Sequence, residues 1–381
     1  MELTRGHIFP QTESVAYLDT AGEGLPFPGC EEAVATYFRD KSLGTPGRER
    51  LHAVEQEVRR LAARLIHASV EDVALLSSAT EGLNLLANSI QWRAGDEVLL
   101  TDLEFPSNVL PWLRLRDRGV RVRVIPSVDG IVTLEQFLRE ITPATRLVAV
   151  SEVSYKTGTR IPFLAALAEG VHRAKALLCV DATQALGRVP VSVTGVDYLV
   201  ASSYKWLLGA HGLGVVYLSP ALRRQLIAGA VGWYSVTNIF SPQRFEDFQC
   251  KPGADMLVCG MPNFLGIYAL RASLQYLLET NPVRIYATLA PLVRRLWQGL
   301  YSLGLDLLTP LEPEYASGIV SFGHPAAEEI GAALESQGVV VWSGDGRVRA
   351  SVHVYNREAD IDGYLNALGA ITESIPRSHR A

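Results

Sequence analysis

The chain contains little cysteine and no long apolar segment. Four cysteines stand among 381 residues, with no CxxC spacing and no paired histidines nearby, so we predict neither disulfides nor a metal site. No run of about 18 apolar residues is available to cross a membrane. The first residues also lack the apolar core of a secretion signal. We therefore expect a cytoplasmic protein with no membrane partner.

Basic tracts are missing as well. Lysine and arginine together number 35 against 40 aspartates and glutamates, which gives a formal charge of −5. Without a basic cluster, a nucleic-acid partner is not expected. The 48% hydrophobic and 20% charged content is typical of a globular protein. At this length we expect two lobes rather than one simple core.

Lysine is scarce, and one of the five lysines stands in an unusual place. Lys205 follows the apolar segment Val196–Ser202 and precedes a glycine-rich loop, while Asp181 follows the apolar segment Ala176–Val180. These two segments and Leu213–Leu218 are short, apolar and contain β-branched residues. Each of the three therefore predicts a strand. If the first two strands are parallel, Asp181 and Lys205 emerge at the carboxyl edge of the sheet, where α/β proteins bind ligands.

A carboxylate and a lysine that face one site have two interpretations. A salt bridge is the simpler one. The other is a site for pyridoxal phosphate, in which the lysine amine forms a Schiff base with the cofactor aldehyde and the aspartate pairs with the pyridinium nitrogen. In that case the two charges serve opposite ends of one ring and need not touch.

The segments ValAspAlaThrGlnAla at 180–185 and AlaSerSerTyrLysTrpLeuLeuGly at 201–209 resemble the class V aminotransferases. This group of fold-type I pyridoxal-phosphate enzymes includes cysteine desulfurases, selenocysteine lyases and isopenicillin N epimerase-like proteins. The similarity is colinear from about Tyr17 to about Leu368. It implies an α/β fold with a mostly parallel central sheet flanked by helices and a smaller α+β C-terminal domain. The implied division is an N-terminal arm (1–30), a large cofactor-binding domain (31–280) and a small domain (281–381).

A phosphate site is predicted where strand Val73–Ser77 runs into a helix. The first backbone N–H groups of a helix and its dipole attract anions, although Ser78 or Thr80 could simply cap the helix. The resemblance implies that Ala79 and Thr80 contact the cofactor phosphate. It implies the same role for two residues beside the lysine, Ser202 and Tyr204.

The resemblance also assigns residues around the cofactor ring. Phe105 stands where relatives stack a ring on the pyridine, often histidine; phenylalanine can stack but cannot carry a proton. Tyr155 stands where relatives have asparagine or a similar polar residue, and its phenol can hydrogen-bond the ring oxygen or the Schiff-base region. Gln184 is expected to bond the same oxygen. Met261 replaces a threonine that reaches the phosphate of the neighbouring subunit in relatives. Because this loop of relatives completes the cofactor site of the neighbouring subunit, the resemblance implies a homodimer.

A substrate contact is expected from Arg349. It lies in ArgValArgAlaSerValHisValTyrAsn at 347–356, where relatives hold the substrate carboxylate with an arginine. A planar guanidinium can make this contact with two hydrogen bonds. Strand alternation places Arg347 and Arg349 on one face. For Arg347, nearer the loop, a structural role is preferred.

The sequence predicts an enzyme that acts on an amino acid, with Lys205 as the base that moves the α-proton. Transamination is slightly favoured because it needs only the lysine. The alternatives are a carbon–sulfur or carbon–selenium lyase, an epimerase, or a non-catalytic ligand-binding relative, against which the intact Lys205 and Asp181 argue. Residues 339–347 lack the cysteine that many desulfurases carry there, so no persulfide-forming activity is expected unless Cys250 or Cys259 substitutes.

Overall fold

The fold is described from a computed structural model that covers residues 8–374. Its strands, in chain order, are β1 (Ala16–Tyr17), β2 (Val73–Leu76), β3 (Glu97–Thr101), β4 (Arg121–Ile125), β5 (Thr145–Ser151), β6 (Leu177–Asp181), β7 (Tyr198–Ser202), β8 (Gly214–Leu218), β9 (Asp306–Leu307), β10 (Ile319–Gly323), β11 (Val339–Val340), β12 (Trp342–Gly344) and β13 (Arg347–Ser351). Its α-helices are α1 (Gly29–Lys41), α2 (Arg48–Ile66), α3 (Ala79–Ser89), α4 (Leu110–Leu113), α5 (Leu134–Glu140), α6 (Leu164–Arg173), α7 (Pro220–Arg223), α8 (Phe264–Thr280), α9 (Pro282–Ser302), α10 (Ala327–Ser336) and α11 (Glu358–Ser374).

The central sheet has seven strands in the spatial order β2, β8, β7, β6, β5, β3, β4. Its pairs are parallel from β7 to β4, and β8 runs antiparallel to both of its neighbours. Strands β6 and β7 are parallel, so Asp181 and Lys205 emerge at the same edge of the sheet. Most of the sheet is buried, and this explains why its strands read as continuous apolar runs. The predicted α/β class with a mostly parallel sheet is confirmed.

Helix α3 is held unusually close to this sheet. A Cβ atom on Gly82 would lie 2.9 Å from the Val200 side chain and 3.0 Å from the Val216 side chain, so only glycine allows this approach. The hydroxyl of Tyr198, on β7, donates a hydrogen bond to the Gly82 carbonyl at 2.9 Å. As a result, the first turn of α3 lies beside the carboxyl ends of β6 and β7.

The C-terminal region forms a second sheet, in the order β12, β13, β10, β9. The N-terminal arm contacts this region in two ways: β1 pairs in parallel with β11 in a separate two-stranded sheet, and Asp19 bridges to Ser351 at the end of β13. The apolar residues 339–342 do not form one strand. Val339 and Val340 pair with the arm, whereas Trp342 pairs with Arg349 in the other sheet. The predicted domain limits stay a prediction.

Two further features concern the part of the chain that the structure describes. None of the helices within residues 8–374 is both long enough and apolar enough to span a bilayer. Over the same residues, no cluster of His, Cys, Asp and Glu side chains is arranged to hold a metal ion.

Candidate active site

A single cavity opens at the carboxyl ends of β5, β6 and β7. The last residues of these strands, Ser151, Asp181 and Ser202, all line it. The cavity also brings together every residue that the sequence assigned to the cofactor: Ala79, Thr80, Phe105, Tyr155, Asp181, Gln184, Ser202, Tyr204 and Lys205. The sequence prediction missed five lining residues, most of them small and polar: Ser78, Ser107, Ser151, Val153 and Thr183. The position of Ser151 and Thr183 at strand ends could have indicated them.

Lys205 is the cation of the cavity. Its side chain is buried, with 8% of the residue exposed, and its Nζ has no hydrogen-bond or ion-pair partner among the described residues. Nζ lies 5.5 Å from the ring centre of Phe105 and 5.6 Å from that of Tyr204. Burial, helped by the charge of Arg349, lowers the pKa of Lys205 to about 8. This lowered pKa leaves about one tenth of the amine uncharged at pH 7, far more than for an ordinary lysine, and that form can act as a nucleophile or base.

Asp181 is the facing carboxylate. The backbone N–H of Thr183 donates to its Oδ1 at 2.9 Å. Burial raises the pKa of Asp181, while hydrogen bonding to Thr183 and the charge of Lys205 oppose that rise. Within residues 8–374 the two side chains interact only through their charges, without a hydrogen bond or ion pair. The salt-bridge interpretation therefore does not describe this pair.

The first turn of α3 forms an anion-binding wall. Ser78 caps the helix by accepting a hydrogen bond from the N–H of Glu81 at 3.0 Å. The Ala79 N–H points to Ser202 Oγ at 3.5 Å, and the hydroxyls of Thr80 and Ser107 are hydrogen-bonded at 2.8 Å. The positive end of the helix dipole and these hydroxyls favour a phosphate at this end of the cavity.

Aromatic and amide groups shape the rest of the cavity. The rings of Phe105 and Tyr155 meet edge to face, with their centres 5.0 Å apart. Gln184 is held by two bonds: its Oε1 accepts from Trp206 Nε1 at 2.7 Å, and its Nε2 donates to the Ala21 carbonyl at 3.0 Å. One N–H of the Gln184 amide remains for a ligand. The amide is thus oriented before any ligand binds.

Glu104 supports the loop that carries Phe105, and the sequence prediction missed it. Its carboxylate accepts hydrogen bonds from Thr101 Oγ1 at 2.8 Å, Asn108 Nδ2 at 2.7 Å and Ser151 Oγ at 2.6 Å. Burial raises the pKa of Glu104, and these donors oppose the rise. Three donors converge on this buried carboxylate and hold the Glu104 side chain in place. Since Phe105 is the next residue, its ring is held beside the cavity.

Arg349 lies behind Tyr155 instead of lining the cavity directly. Its Nη1 donates to the Tyr155 carbonyl at 3.0 Å, and its Nη2 pairs with Asp19 Oδ1 at 3.3 Å. The buried Nε has no partner among the described residues. Burial lowers the pKa of Arg349, and the charge of Asp19 opposes this. The sequence prediction missed Asp19, which lies two residues after the end of β1 in the N-terminal arm.

None of the four thiols lines the cavity. Cys30 and Cys179 are buried, and burial raises the pKa of both, that of Cys30 to about 11. Cys250 and Cys259 are partly exposed in the loop before α8, and desolvation raises the pKa of Cys259. A raised pKa keeps a thiol protonated and unreactive.

The cavity fits pyridoxal phosphate by the chemistry of its donors. An unpaired amine, a carboxylate and a helix N-terminus occupy separate parts of one cavity. These are the partners of the aldehyde, the pyridinium nitrogen and the phosphate. The exposed face of Phe105 supplies a ring for stacking.

Comparison with known proteins gives the family. The model of the family "Aminotransferase class-V" matches residues 16–364. A probable cysteine desulfurase of Methanothermobacter thermautotrophicus is 30% identical over 412 residues, covering 97% of this chain and 99% of that protein. One of Pyrococcus abyssi is 29% identical over 405 residues, covering 97% of each. The apo cysteine desulfurase of Thermococcus onnurineus NA1 superposes with a TM-score of 0.89 at 25% identity, over 96% of each chain. Both the cavity and these matches lead to one conclusion: the chain is a member of the class V aminotransferase family, and its cofactor is pyridoxal phosphate.

Proposed function

We propose that the enzyme is a carbon–sulfur lyase for a cysteine-type amino acid and that the sulfur leaves as a free product. Transamination, slightly favoured by the sequence, has less support, because the relatives matched over nearly the whole chain are named cysteine desulfurases. The observation that carries the proposal is the position of the thiols, since no cysteine lines the cavity. Sulfur transfer to an enzyme thiol therefore has no acceptor at the site.

The chain's own residues would divide the work as follows. When bound, the cofactor withdraws electrons from the bonds to the α-carbon of an attached amino acid. Lys205 would take the α-proton, because its pKa, lowered to about 8, is close enough to neutral pH for a general base. Asp181 keeps the ring nitrogen protonated, and Gln184 and Tyr155 bond the ring oxygen. Ala79, Thr80, Ser202 and Tyr204 hold the phosphate, and Arg349 holds the substrate carboxylate.

The proposed net reaction is balanced by one water molecule. The substrate loses its α-proton, and the bond between the β-carbon and sulfur breaks with its electron pair going to sulfur. The sulfur takes up a proton and leaves as sulfide or a thiol. Water then releases the remaining fragment as pyruvate and ammonia. No oxidant or reductant is needed.

Two further predictions belong with this proposal. We expect a homodimer, because relatives complete each cofactor site with the loop that corresponds to residues 260–263 here. We also expect the enzyme in the cytoplasm, where thiols stay reduced. The proposed substrate is a small sulfur-containing amino acid.

Product analysis tests the function. Purified holoenzyme is incubated with cysteine, with cystine and with S-substituted cysteines, and pyruvate, ammonia, alanine and free sulfide or thiol are measured. Pyruvate and thiol in equal amounts support the lyase. Alanine together with a persulfide on Cys250 or Cys259 would identify a desulfurase instead. Amino-group transfer to an added keto acid without sulfur release would identify an aminotransferase. The double variant Cys250→Ser, Cys259→Ser is the matched control and should keep lyase activity.

A further inference from the structure

We propose that Arg347 binds a second acidic group of the substrate, on the sulfur side of the bond that breaks. The preferred substrates would then be S-substituted cysteines that carry an acid beyond the sulfur. This inference rests on the lyase function proposed above. It assigns Arg347 a role in specificity, where the sequence favoured a structural one.

Arg347 is a buried guanidinium with unused donors. Only 2% of the residue is exposed. Its one anionic partner is Asp345, whose Oδ2 lies 2.5 Å from Nη1. The Nε and Nη2 groups have no hydrogen-bond partner among the described residues, and Nε is fully buried. A buried charged donor without a partner is costly, so an anionic group that accepted from Nε and Nη2 would relieve that cost.

The unused donors lie together on one edge of the guanidinium. Nε and Nη2 form the side that binds a carboxylate with two parallel hydrogen bonds. The same chain shows this geometry at its surface: Arg295 binds Asp362 with an Nε–Oδ1 distance of 2.7 Å and an Nη2–Oδ2 distance of 2.9 Å. In Arg347 the donors of this edge have no partner among the described residues, so they are available to a carboxylate that reaches them.

The position of Arg347 places it next to the substrate side of the cavity. Its guanidinium lies 5.3 Å from the ring centre of Tyr155, and that ring lines the cavity. The guanidinium of Arg347 and that of Arg349 both lie over Trp342, at 4.5 and 5.1 Å from its ring centre. The two arginines thus share one aromatic contact and flank one wall of the site.

The spacing of the two arginines suits a substrate with two acids. Arg347 and Arg349 are two residues apart on β13, so their backbones are separated by roughly 7 Å along the same face. With the α-carboxylate on Arg349, an acidic group several bonds beyond the sulfur would come near Arg347. A neutral side chain there would leave the open edge of Arg347 unsatisfied.

Asp345 does not fill the role of this second acid. It lies at the tip of the β12–β13 turn, its side chain is 74% exposed, and it has a φ of 50° between Gly344 and Gly346. It contacts Nη1 alone. An exposed carboxylate can balance the charge of Arg347 without blocking the Nε edge.

A pair of matched substrates tests the proposal. S-carboxymethylcysteine and S-carbamoylmethylcysteine have the same shape and differ in charge. For the native holoenzyme we expect a higher kcat/KM for the acid. The kcat/KM for the acid divided by the kcat/KM for the amide should fall by roughly ten- to hundredfold in Arg347→Met, as expected for the loss of a charged hydrogen-bonded pair. An unchanged ratio in Arg347→Met would overturn the proposal. Arg295→Gln is the control and should keep the native ratio.

A binding measurement separates this inference from the lyase proposal. Glutarate has two carboxylates and cannot be cleaved, so its affinity for the holoenzyme can be measured by calorimetry. We expect Arg347→Met to weaken glutarate binding by at least about tenfold, and equal binding would refute the role of Arg347.

If neither cysteine derivative releases thiol, the lyase proposal fails, while the glutarate result still decides the role of Arg347. If Arg347→Met does not retain cofactor, Arg347→Lys, which keeps the charge but loses the two-bonded geometry, replaces it in both measurements.

Discussion

Asp19 and Arg349 form an ion pair between the N-terminal arm and the C-terminal sheet, with Asp19 Oδ1 at 3.3 Å from Arg349 Nη2. The aspartate follows β1 in the N-terminal arm, and the arginine belongs to β13. The distance is long for a charged hydrogen bond, and the Nε of Arg349 has no partner in the described part of the chain. A substrate carboxylate can therefore bind Arg349 by using Nε and sharing or replacing Asp19.

Arg349→Lys should raise the KM for the amino acid substrate. A lysine keeps the charge but cannot make two parallel hydrogen bonds, so we expect a loss of roughly ten- to hundredfold in kcat/KM, equivalent to about 1.5–3 kcal/mol. The cofactor should remain on Lys205, as its absorbance spectrum would show. Arg295→Lys, at an exposed ion pair, is the matched control. Kinetics identical to those of the native enzyme would remove Arg349 from the substrate site.

The rate at which the apoenzyme captures pyridoxal phosphate should rise with pH, with a midpoint at about pH 8. The reactive form of Lys205 is the neutral amine, and burial lowers its pKa from 10.5 to about 8. The positive charge of Arg349 contributes to this lowering, whereas Asp19 opposes it. Arg349→Gln should therefore move the midpoint to higher pH, and Asp19→Asn should move it to lower pH. Rapid-mixing absorbance measurements check this, and shifts in the same direction would contradict it.

The cofactor should be attached to Lys205 and to no other lysine. Borohydride reduction followed by peptide mapping should place the label in the peptide that contains Lys205. Lys156 is the informative control, because it adjoins Tyr155 but does not line the cavity. We expect Lys205→Ala to abolish the label and Lys156→Arg to keep it. Label on Lys156 in the native protein would refute the assignment.

The protein should form a homodimer with a mass near twice 41.6 kDa in solution. The chain between α7 and α8 exposes large apolar side chains, including Trp233, Phe240 and Met261, and exposed apolar surface of this kind is typical of interfaces. Met261→Asp should weaken association in sedimentation experiments. Leu311→Asp, at another exposed leucine, should not. A monomeric mass for active holoenzyme would contradict the prediction.

The sequence was sufficient to predict the α/β sheet and the cavity. Asp181 and Lys205 are placed by local pattern, because each follows a short apolar strand and parallel strands end at one edge. The resemblance carried by the motifs around them then located most of the other lining residues, from Ala79 to Tyr204, but not five mostly small polar ones. The two strand borders concerned were predicted within two residues, since buried strands between loops leave a clear apolar pattern.

Other features depended on contacts between distant segments. The pairing of Asp19 with Arg349 and the bond from Trp206 to Gln184 join residues that no local period relates. The division of Val339–Trp342 between two sheets has the same cause, since the arm pairs with its first part and β13 with its last. The sequence by itself determined the strands of the central sheet that carry Asp181 and Lys205, and the chemical groups at their ends. Only the tertiary structure decided which donors remain open at Arg347 and Arg349, because burial and hydrogen-bond partners are set by the packing of the arm against the C-terminal sheet.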